Sequence, residues 1–316
     1  MTNNHHHHIG VDIAKQNFVA DLPKGATSFK QTACGMRHFL EQLPERAWVV
    51  CEASGGYEKA LVSACHKAGL RVSVANPRRV RAFALSQGIL AKTDRIDAPL
   101  ISLYARKTEA LREHREPSAA EQELRALYQH RAALVDMHKQ EQNLSEHAPD
   151  KSSAAGQQIA KMSKCRRRLL ERQIKKLEAQ MRQLIEADER LRQRARRMEQ
   201  VEGVGALSIA AVLSLMPELG ELEEGQAGAL LGAAPIVRQS GDTDKIRHIE
   251  GGRHRLRKAI YMAALSAARH NPVLKVFYQR LRTQGKPVKV ALTALMRKII
   301  ELLNALIKNP NFCLAR

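Results

Sequence analysis

The residues of this chain whose types and spacing suit chemistry are four carboxylates in its first hundred residues and one serine far downstream. Asp12 sits in an apolar run, Ile9-Gly10-Val11-Asp12-Ile13-Ala14, and Glu52 ends a second, Trp48-Val49-Val50-Cys51-Glu52. Asp94 and Asp97 form a D-x-x-D within Ala91-Lys92-Thr93-Asp94-Arg95-Ile96-Asp97-Ala98. A charge at the end of an apolar strand costs free energy unless something compensates it, and a divalent cation is the usual compensation. Four carboxylates delivered by separate elements could hold Mg²⁺ for phosphoryl chemistry. Taken singly, Asp94 reads better as a helix cap; the four together read as metal ligands. The serine is Ser240, followed by Gly241. Most serines before glycine sit in turns, and a hydroxyl needs activation before it can attack a phosphodiester. The one histidine close to it in sequence, His248, is as readily a cap or a solvent-facing residue.

The elements that must position the carboxylates follow from the surrounding pattern. Residues 8 to 32 read as short strands, Ile9 to Ile13, Asn17 to Leu22 and Ser28 to Thr32, with a turn at Pro23-Lys24-Gly25. Cys34 to Leu43 has helical periodicity, Arg46 to Ala53 is a buried strand, and Tyr57 to Ala68 is a helix stopped by Gly69. Arg71 to Ala75 is another strand, and Pro77 opens a basic helix carrying Arg78, Arg79 and Arg81. This order is that of a ribonuclease H-like fold. It puts Asp12 on the first strand, Glu52 at the end of the fourth, and Asp94 and Asp97 on one face of a later helix. Pro99 leaves two versions open. Either the helix starts before Asp94 and the proline falls beyond the first turn, or Asp97 is the N-cap and Asp94 lies in the preceding loop.

Composition bounds the partners. The 316 residues carry 52 Lys and Arg against 32 acids, a formal charge of +20 that points to a polyanion, most simply nucleic acid. No apolar run reaches transmembrane length and no signal peptide is evident, which argues against a membrane partner. The five cysteines form no C-x-x-C pair and are odd in number. That argues against a zinc site and a disulfide framework and for a reducing cytoplasm. Residues 1–8, with the run His5 to His8, read as a disordered start or partial tag.

Beyond residue 118 the pattern becomes long and helical, with Leu124, Leu127, Leu134 and Met137 as one apolar stripe and a break at Pro149 to Gly156. Lys161 to Met198 shows a heptad. Ile174, Met181, Asp188 and Ala195 take one core position, and Leu170, Leu177, Leu184, Leu191 and Met198 the other. Such a stripe serves a dimerising coiled coil or a hairpin packed within one chain. The last unit opens with Gly203-Val204-Gly205, a helix-hairpin-helix-like turn whose backbone N–H groups could meet phosphate. Arg253, Arg255, Arg257 and Lys258 form a basic run with the same potential.

In this order the motifs are specific, and the chain resembles the DEDD transposases of the insertion-sequence family of bridge-RNA-guided recombinases. The resemblance rests on Gly10-Val11-Asp12-Ile13-Ala14-Lys15, Glu52-Ala53-Ser54-Gly55-Gly56-Tyr57, Asn76-Pro77 and the D-x-x-D segment. It continues through Gly203-Val204-Gly205, Ala234-Pro235 with Ser240-Gly241, Tyr261-Met262-Ala263-Ala264, Arg269-His270-Asn271-Pro272 and Lys289-Val290-Ala291-Leu292. It implies a RuvC-like catalytic domain over 9–115, a helical coiled-coil region over 116–199 and a mostly helical C-terminal transposase domain over 200–316. It also implies Mg²⁺ on Asp12, Glu52, Asp94 and Asp97, with Ser240 as a nucleophile that becomes joined to DNA. The implied partners are DNA, a guide (bridge) RNA and further copies of the chain in a dimer or tetramer. The implied location is the bacterial cytoplasm, at the nucleoid. Two rivals remain: a RuvC-like metal-dependent junction nuclease with a structural Ser240, and a basic protein that bridges nucleic acid without catalysis.

Overall fold

Three consecutive segments, one an apolar run buried on both faces and one with alternating burial, start the first sheet. In the computed structural model, which describes residues 6–89, 94–108, 111–146, 152–236, 239–240, 243–244, 248–312 and 314, the chain divides into two compact units, one ending at Glu116 and the other beginning at Pro117. The first contains β1 (His7–Ile13), β2 (Asn17–Leu22), β3 (Gly25–Lys30), α1 (Ala33–Glu41), β4 (Ala47–Glu52), α2 (Glu58–Lys67), β5 (Arg71–Ala75), α3 (Pro77–Ser86) and α4 (Asp94–Lys107). Its five strands lie in the order β3-β2-β1-β4-β5. β1 is antiparallel to β2 and parallel to β4, and β4 is parallel to β5. Chain order and sheet order together are those expected of a ribonuclease H-like α/β domain.

The sheet has two apolar faces because consecutive residues of β1 and β4 point to opposite sides. Ile9, Val11, Val49 and Cys51 join Phe18, Phe29 and Phe39 in one core. The three phenylalanine rings of that core lie 5.3–5.5 Å apart. Val50 faces the other way, into a second core with Leu100, Ile101 and Tyr104 of α4. Gly10 shares that second side, and α4 docks directly on it. A Cβ at Gly10 would stand 2.2 Å from the Ala98 carbonyl oxygen and 2.4 Å from the Ser102 nitrogen. The Gly10 N–H donates to the buried Ser102 Oγ at 2.7 Å.

Three expectations change here. β1 begins at His7, with His7 and His8 paired to Ala47 and Trp48, so the start of the sheet reaches into the segment read as a disordered start or tag. His8 also stacks on Trp48, ring centroids 5.3 Å apart. The alternative left open by Pro99 resolves in favour of a helix that includes both aspartates: α4 starts at Asp94 and carries Pro99 inside it. Finally, the helical region and the C-terminal region share one hydrophobic core, from Leu124 and Met181 through Leu303 and Leu306.

That second unit contains α5 (Ala119–Glu146), α6 (Ala154–Ala187), α7 (Glu189–Glu199), α8 (Ala206–Leu215), α9 (Gln226–Leu231), β6 (Pro235–Ile236), β7 (Gln239–Ser240), β8 (Thr243–Asp244), β9 (His248–Ile249), α10 (His254–His270), α11 (Pro272–Thr283) and α12 (Val288–Lys308). α5 and α6 fold back on one another as an antiparallel hairpin. Arg131 bonds Glu178, His138 meets Glu171, and Glu141 receives Arg166. The heptad does not run through to Met198. Asp188 is extended, and its carboxylate accepts from the Leu191 N–H at 2.9 Å. It is therefore the N-cap of a new helix rather than a polar residue at a coiled-coil core position. Met181, Leu191, Ala195 and Met198 are buried in the unit's own core, with Leu184 packed against it. α8 is apolar all round and buried from Ser208 to Ser214, which makes it the helix around which this unit is assembled.

The Gly10 contact gives a direct test. Gly10→Ala forces α4 away from β1, and overpacking of this kind costs about 1–3 kcal/mol. Ser102→Ala removes one hydrogen bond worth about 1 kcal/mol. Urea denaturation is expected to show the larger loss for Gly10→Ala; equal midpoints for Gly10→Ala and the unaltered protein contradict the close packing.

Candidate active site

Strand register brings the first two carboxylates together. β1 and β4 run parallel with Val11 level with Cys51, so the next residues along, Asp12 and Glu52, sit side by side. Both project to the side that Gly10 and Val50 share, where α4 lies. Asp97 immediately precedes Ala98, the residue whose carbonyl presses on Gly10, and it is 8% exposed. Asp12 and Glu52 are partly buried. Asp94 stands one helical turn before Asp97, spacing that places the two on one face of α4. Its side chain falls outside the described part. Among the described residues no three His, Cys, Asp or Glu side chains form a ready metal cluster. The donor set nonetheless suits a hard cation. It consists of carboxylate oxygens from two strand ends and one helix, and Mg²⁺ takes such ligands while keeping several of its waters.

Ser240 lies in a different setting. Two short ladders are nested in the sequence between α9 and α10. Pro235 and Ile236 pair with Ile249 and His248, and Gln239 and Ser240 pair with Asp244 and Thr243. Ser240 thus stands at the closed end of the inner ladder, with residues 241 and 242 between it and its partner. The Ser240 side chain also falls outside the described part.

Two family models match these two regions. A DEDD transposase model of IS110 elements covers residues 9–148, and the transposase model of the IS116/IS110/IS902 family covers residues 195–279. The chain carries the transposase domains of the IS110 family. Over 95% of its length it is also 27% identical to pilin gene-inverting proteins of Moraxella lacunata and Moraxella bovis, covering 95% of each. A shorter stretch of 82 residues, 26% of this chain and 20% of the other, is 30% identical to an uncharacterized 43.6 kDa protein of insertion element IS110 from Streptomyces coelicolor. The protein is a DNA transposase/recombinase, and DNA is its partner. Among the described residues, no helix of the transposase is long and apolar enough to cross a membrane.

The basic residues singled out by sequence separate into two kinds. Arg78, Arg79 and Arg81 are exposed on α3, which Asn76 caps by accepting from the Arg78 N–H. That helix begins directly after β5, whose Ala75 pairs with Glu52, so these cations flank the carboxylate end of the sheet. On α10, Arg255 and Lys258 are exposed, whereas Arg253 and Arg257 are structural. Arg253 donates to the Leu215 carbonyl at 2.8 Å and pairs with Glu218. Arg257 donates to the carbonyls of Gly232 and Gly251 at 3.0 and 2.7 Å. The i, i+4 spacing of 253 and 257 puts both on the inner face of the helix and leaves 255 and 258 outside. Gly203 likewise has a packing role. Its φ is +100°, and a Cβ there would stand 2.7 Å from the Ala267 backbone. Gly205 caps α8 with open space around it. Its neighbour Leu207 lines, with Arg255 and Lys258, a cavity of about 410 Å³.

One residue beside Glu52 has no obvious sequence signal. After Glu52 the chain turns through Gly55 and Gly56, at φ +74° and +115°, conformations that favour glycine. Glu58 ties this turn down. Its Oε2 accepts from the Ser54 N–H (3.0 Å), the Ser54 hydroxyl (3.0 Å) and the Gly56 N–H (2.8 Å). Burial alone would raise the Glu58 pKa, but the hydrogen bonds from Glu58, Gly56 and Ser54 together outweigh it and hold the carboxyl below its ordinary value. A lowered folded-state pKa contributes stability above the unfolded value, near 4.3, that is lost as pH falls through the folded one. Glu58→Gln is therefore expected to melt earlier than the unaltered transposase at pH 7, with the gap narrowing towards pH 3. A gap that stays constant across that range removes Glu58 as the tie.

Proposed function

We propose that this transposase is an RNA-guided recombinase that cuts and rejoins DNA through a serine-linked intermediate, with Mg²⁺ held by Asp12, Glu52, Asp94 and Asp97. What supports the metal half is the parallel register of β1 and β4, which sets Asp12 level with Glu52 on the side of the sheet where α4, the helix of Asp97, docks. Mg²⁺ bound there would polarise a phosphodiester and stabilise the charge that develops on it. The chain's own residues do the rest. Glu58 holds the turn after Glu52, the packing of α4 on Gly10 fixes Asp97, and the exposed arginines of α3 align a phosphate backbone.

The serine half is supported by what the relatives are named for. Inverting a gene requires both ends to be cut and resealed with every nucleotide kept. When a serine oxygen bonds to phosphorus, the bond to the leaving deoxyribose oxygen breaks and that oxygen takes a proton. The phosphodiester energy stays in the new ester link, so a second strand end can reverse the step without ATP. A water nucleophile discards that energy. Ser240, paired with Thr243 in its two-residue ladder, is the group to which this reading gives the attack. Guide-RNA pairing accords with the scarcity of stacking residues, one Trp, five Tyr and six Phe in 316 residues, since base pairing would then choose the sequence. Gly205 at the start of α8, with Arg255 and Lys258, supplies contacts to phosphate.

Asp12→Ala and Glu52→Gln are expected to abolish strand exchange while nucleic-acid binding persists; exchange at the unaltered rate by pure Asp12→Ala overturns the metal assignment. A substrate nicked near the scissile bond should leave labelled DNA attached to the protein through denaturing electrophoresis, and Ser240→Ala should abolish that species. Cutting by Ser240→Ala at full rate, with no attached DNA at any time, establishes the hydrolytic junction nuclease instead.

We also propose that copies of the chain associate through the outer part of the α5–α6 hairpin, where Met137, Leu144, Met162 and Leu169 are exposed apolar residues. Leu144→Asp with Met162→Asp is expected to lower the mass measured by light scattering without unfolding the protein. An unchanged mass assigns the hairpin to a role within one chain.

A further inference from the structure

The second unit holds a cavity of about 620 Å³ that none of the chemistry above uses. Its floor is apolar: Phe277 of α11, Val290 and Ala294 of α12, and Pro235 and Ile249 from the outer ladder. Its rim is cationic, from Lys289, Arg297 and Lys298. Arg280 and Lys298 also lie over the Phe277 ring, 5.5 and 5.2 Å from its centre. The acid at the edge, Glu301, accepts from the Gly228 N–H at 2.8 Å, so the rim sets Lys289, Arg297 and Lys298 against a single carboxylate.

An apolar floor with exposed Val290 would suit a protein partner, but the charge does not. Residues 251–300 contain twelve Lys and Arg and no Asp or Glu. A protein segment seated here would need to be strongly acidic, whereas a nucleic-acid strand brings both things the site offers to meet, a flat apolar base and a phosphate beside it. The size lies within the range of ordinary ligand pockets. The position is informative too, because Pro235 and Ile249 belong to the paired segments that enclose Ser240 in sequence.

We infer that this cavity captures an unstacked nucleobase of a bound strand, the base against Phe277, Val290 and Ala294 and its phosphate on Lys289, Arg297 and Lys298. Extruding a base costs a few kcal/mol in a paired duplex and least where the strand is already single. The site therefore favours single-stranded or unpaired segments, and stacking on an aromatic makes it tolerant of sequence. The capture does not depend on serine chemistry.

The test uses the full chain, unaltered and as Ser240→Ala, with single-stranded DNA and RNA oligonucleotides carrying one 5-iodouracil and with the matching duplexes. Irradiation followed by digestion and mass spectrometry is expected to give a crosslink in the peptide containing Phe277. It should be stronger for single strands than for duplexes and equal with or without the Ser240 hydroxyl; whichever of DNA and RNA gives it identifies the strand. Ala294→Leu fills the cavity and should remove the crosslink while the circular dichroism spectrum and melting temperature hold. Arg297→Gln with Lys298→Gln should weaken single-strand binding by about tenfold and flatten its salt dependence. Crosslinks confined to other peptides, or a Phe277 crosslink that survives Ala294→Leu, overturn the proposal. So does a change of oligomeric mass in Ala294→Leu with single-strand binding intact, which would make the cleft a protein-docking surface. Because Ser240→Ala is run in parallel, failure of the serine reading leaves this result readable.

Discussion

The carboxylate end of the first unit depends on one close approach, the backbone of α4 against Gly10 of β1. Any side chain at residue 10 would meet the Ala98 carbonyl and the Ser102 nitrogen well inside contact distance. The absent side chain lets the helix come down onto the strand, and the Ser102 hydroxyl then satisfies the Gly10 N–H. Everything chemical about this unit follows from that. Asp97 precedes the residue making the contact, Asp12 lies two along from the residue receiving it, and Glu52 is held level by the parallel register. Backbone packing, not attraction between side chains, sets the places of these acids, and like-charged carboxylates repel one another.

The two halves of the chain divide the work differently. In the first, rigid sheet and helix termini hold acids. In the second, an apolar helix at the centre, α8, supports a surface that is almost purely cationic from the ladder region to the end of α12. Some of those cations are spent internally: Arg253 and Arg257 hold the segment before α10 by donating to carbonyls. Lys258, Arg282 and Lys308 are engaged as well, with Asp136, the Lys286 carbonyl and Glu223, so the net charge of +20 overstates the available positive surface.

How much of this was legible in the sequence differs by element. The sheet was, because Ile9 to Ile13 and Trp48 to Glu52 are buried on both faces and read as apolar runs, and because Asn76-Pro77 and Gly69 mark helix ends physically. Asp12 and Glu52 stood out as acids in apolar runs, and Asp94 and Asp97 by their D-x-x-D spacing. The heptad misled at Asp188. An N-cap aspartate falls on the same seven-residue phase as a core position when the next helix resumes the stripe, and only the Leu191 N–H distinguishes them. Arg253 and Arg257 were indistinguishable from Arg255 and Lys258, since their acceptors are carbonyls of residues 215, 232 and 251, which leave no trace in sequence, and Glu218, which is distant in the chain. Glu58 was missed for the same reason: two of its three donors are backbone or turn groups fixed only once Gly55 and Gly56 adopt positive φ. The short ladders around Ser240 pair too few residues to leave a periodic signal.

Pro99 gives α4 an unusual internal seam. Having no N–H, it cannot close the helical bond to the carbonyl of residue 95, so the turn that bears Asp94 and Asp97 is joined to the rest of the helix by one rung fewer. The body of the helix is locked to the sheet through Ser102 and Ile101. Hydrogen exchange follows such boundaries: the amides of the first turn open at a lower free energy than those beyond Ser102. Asp94 and Asp97 therefore ride on a sub-structure that can order separately from the scaffold beneath it.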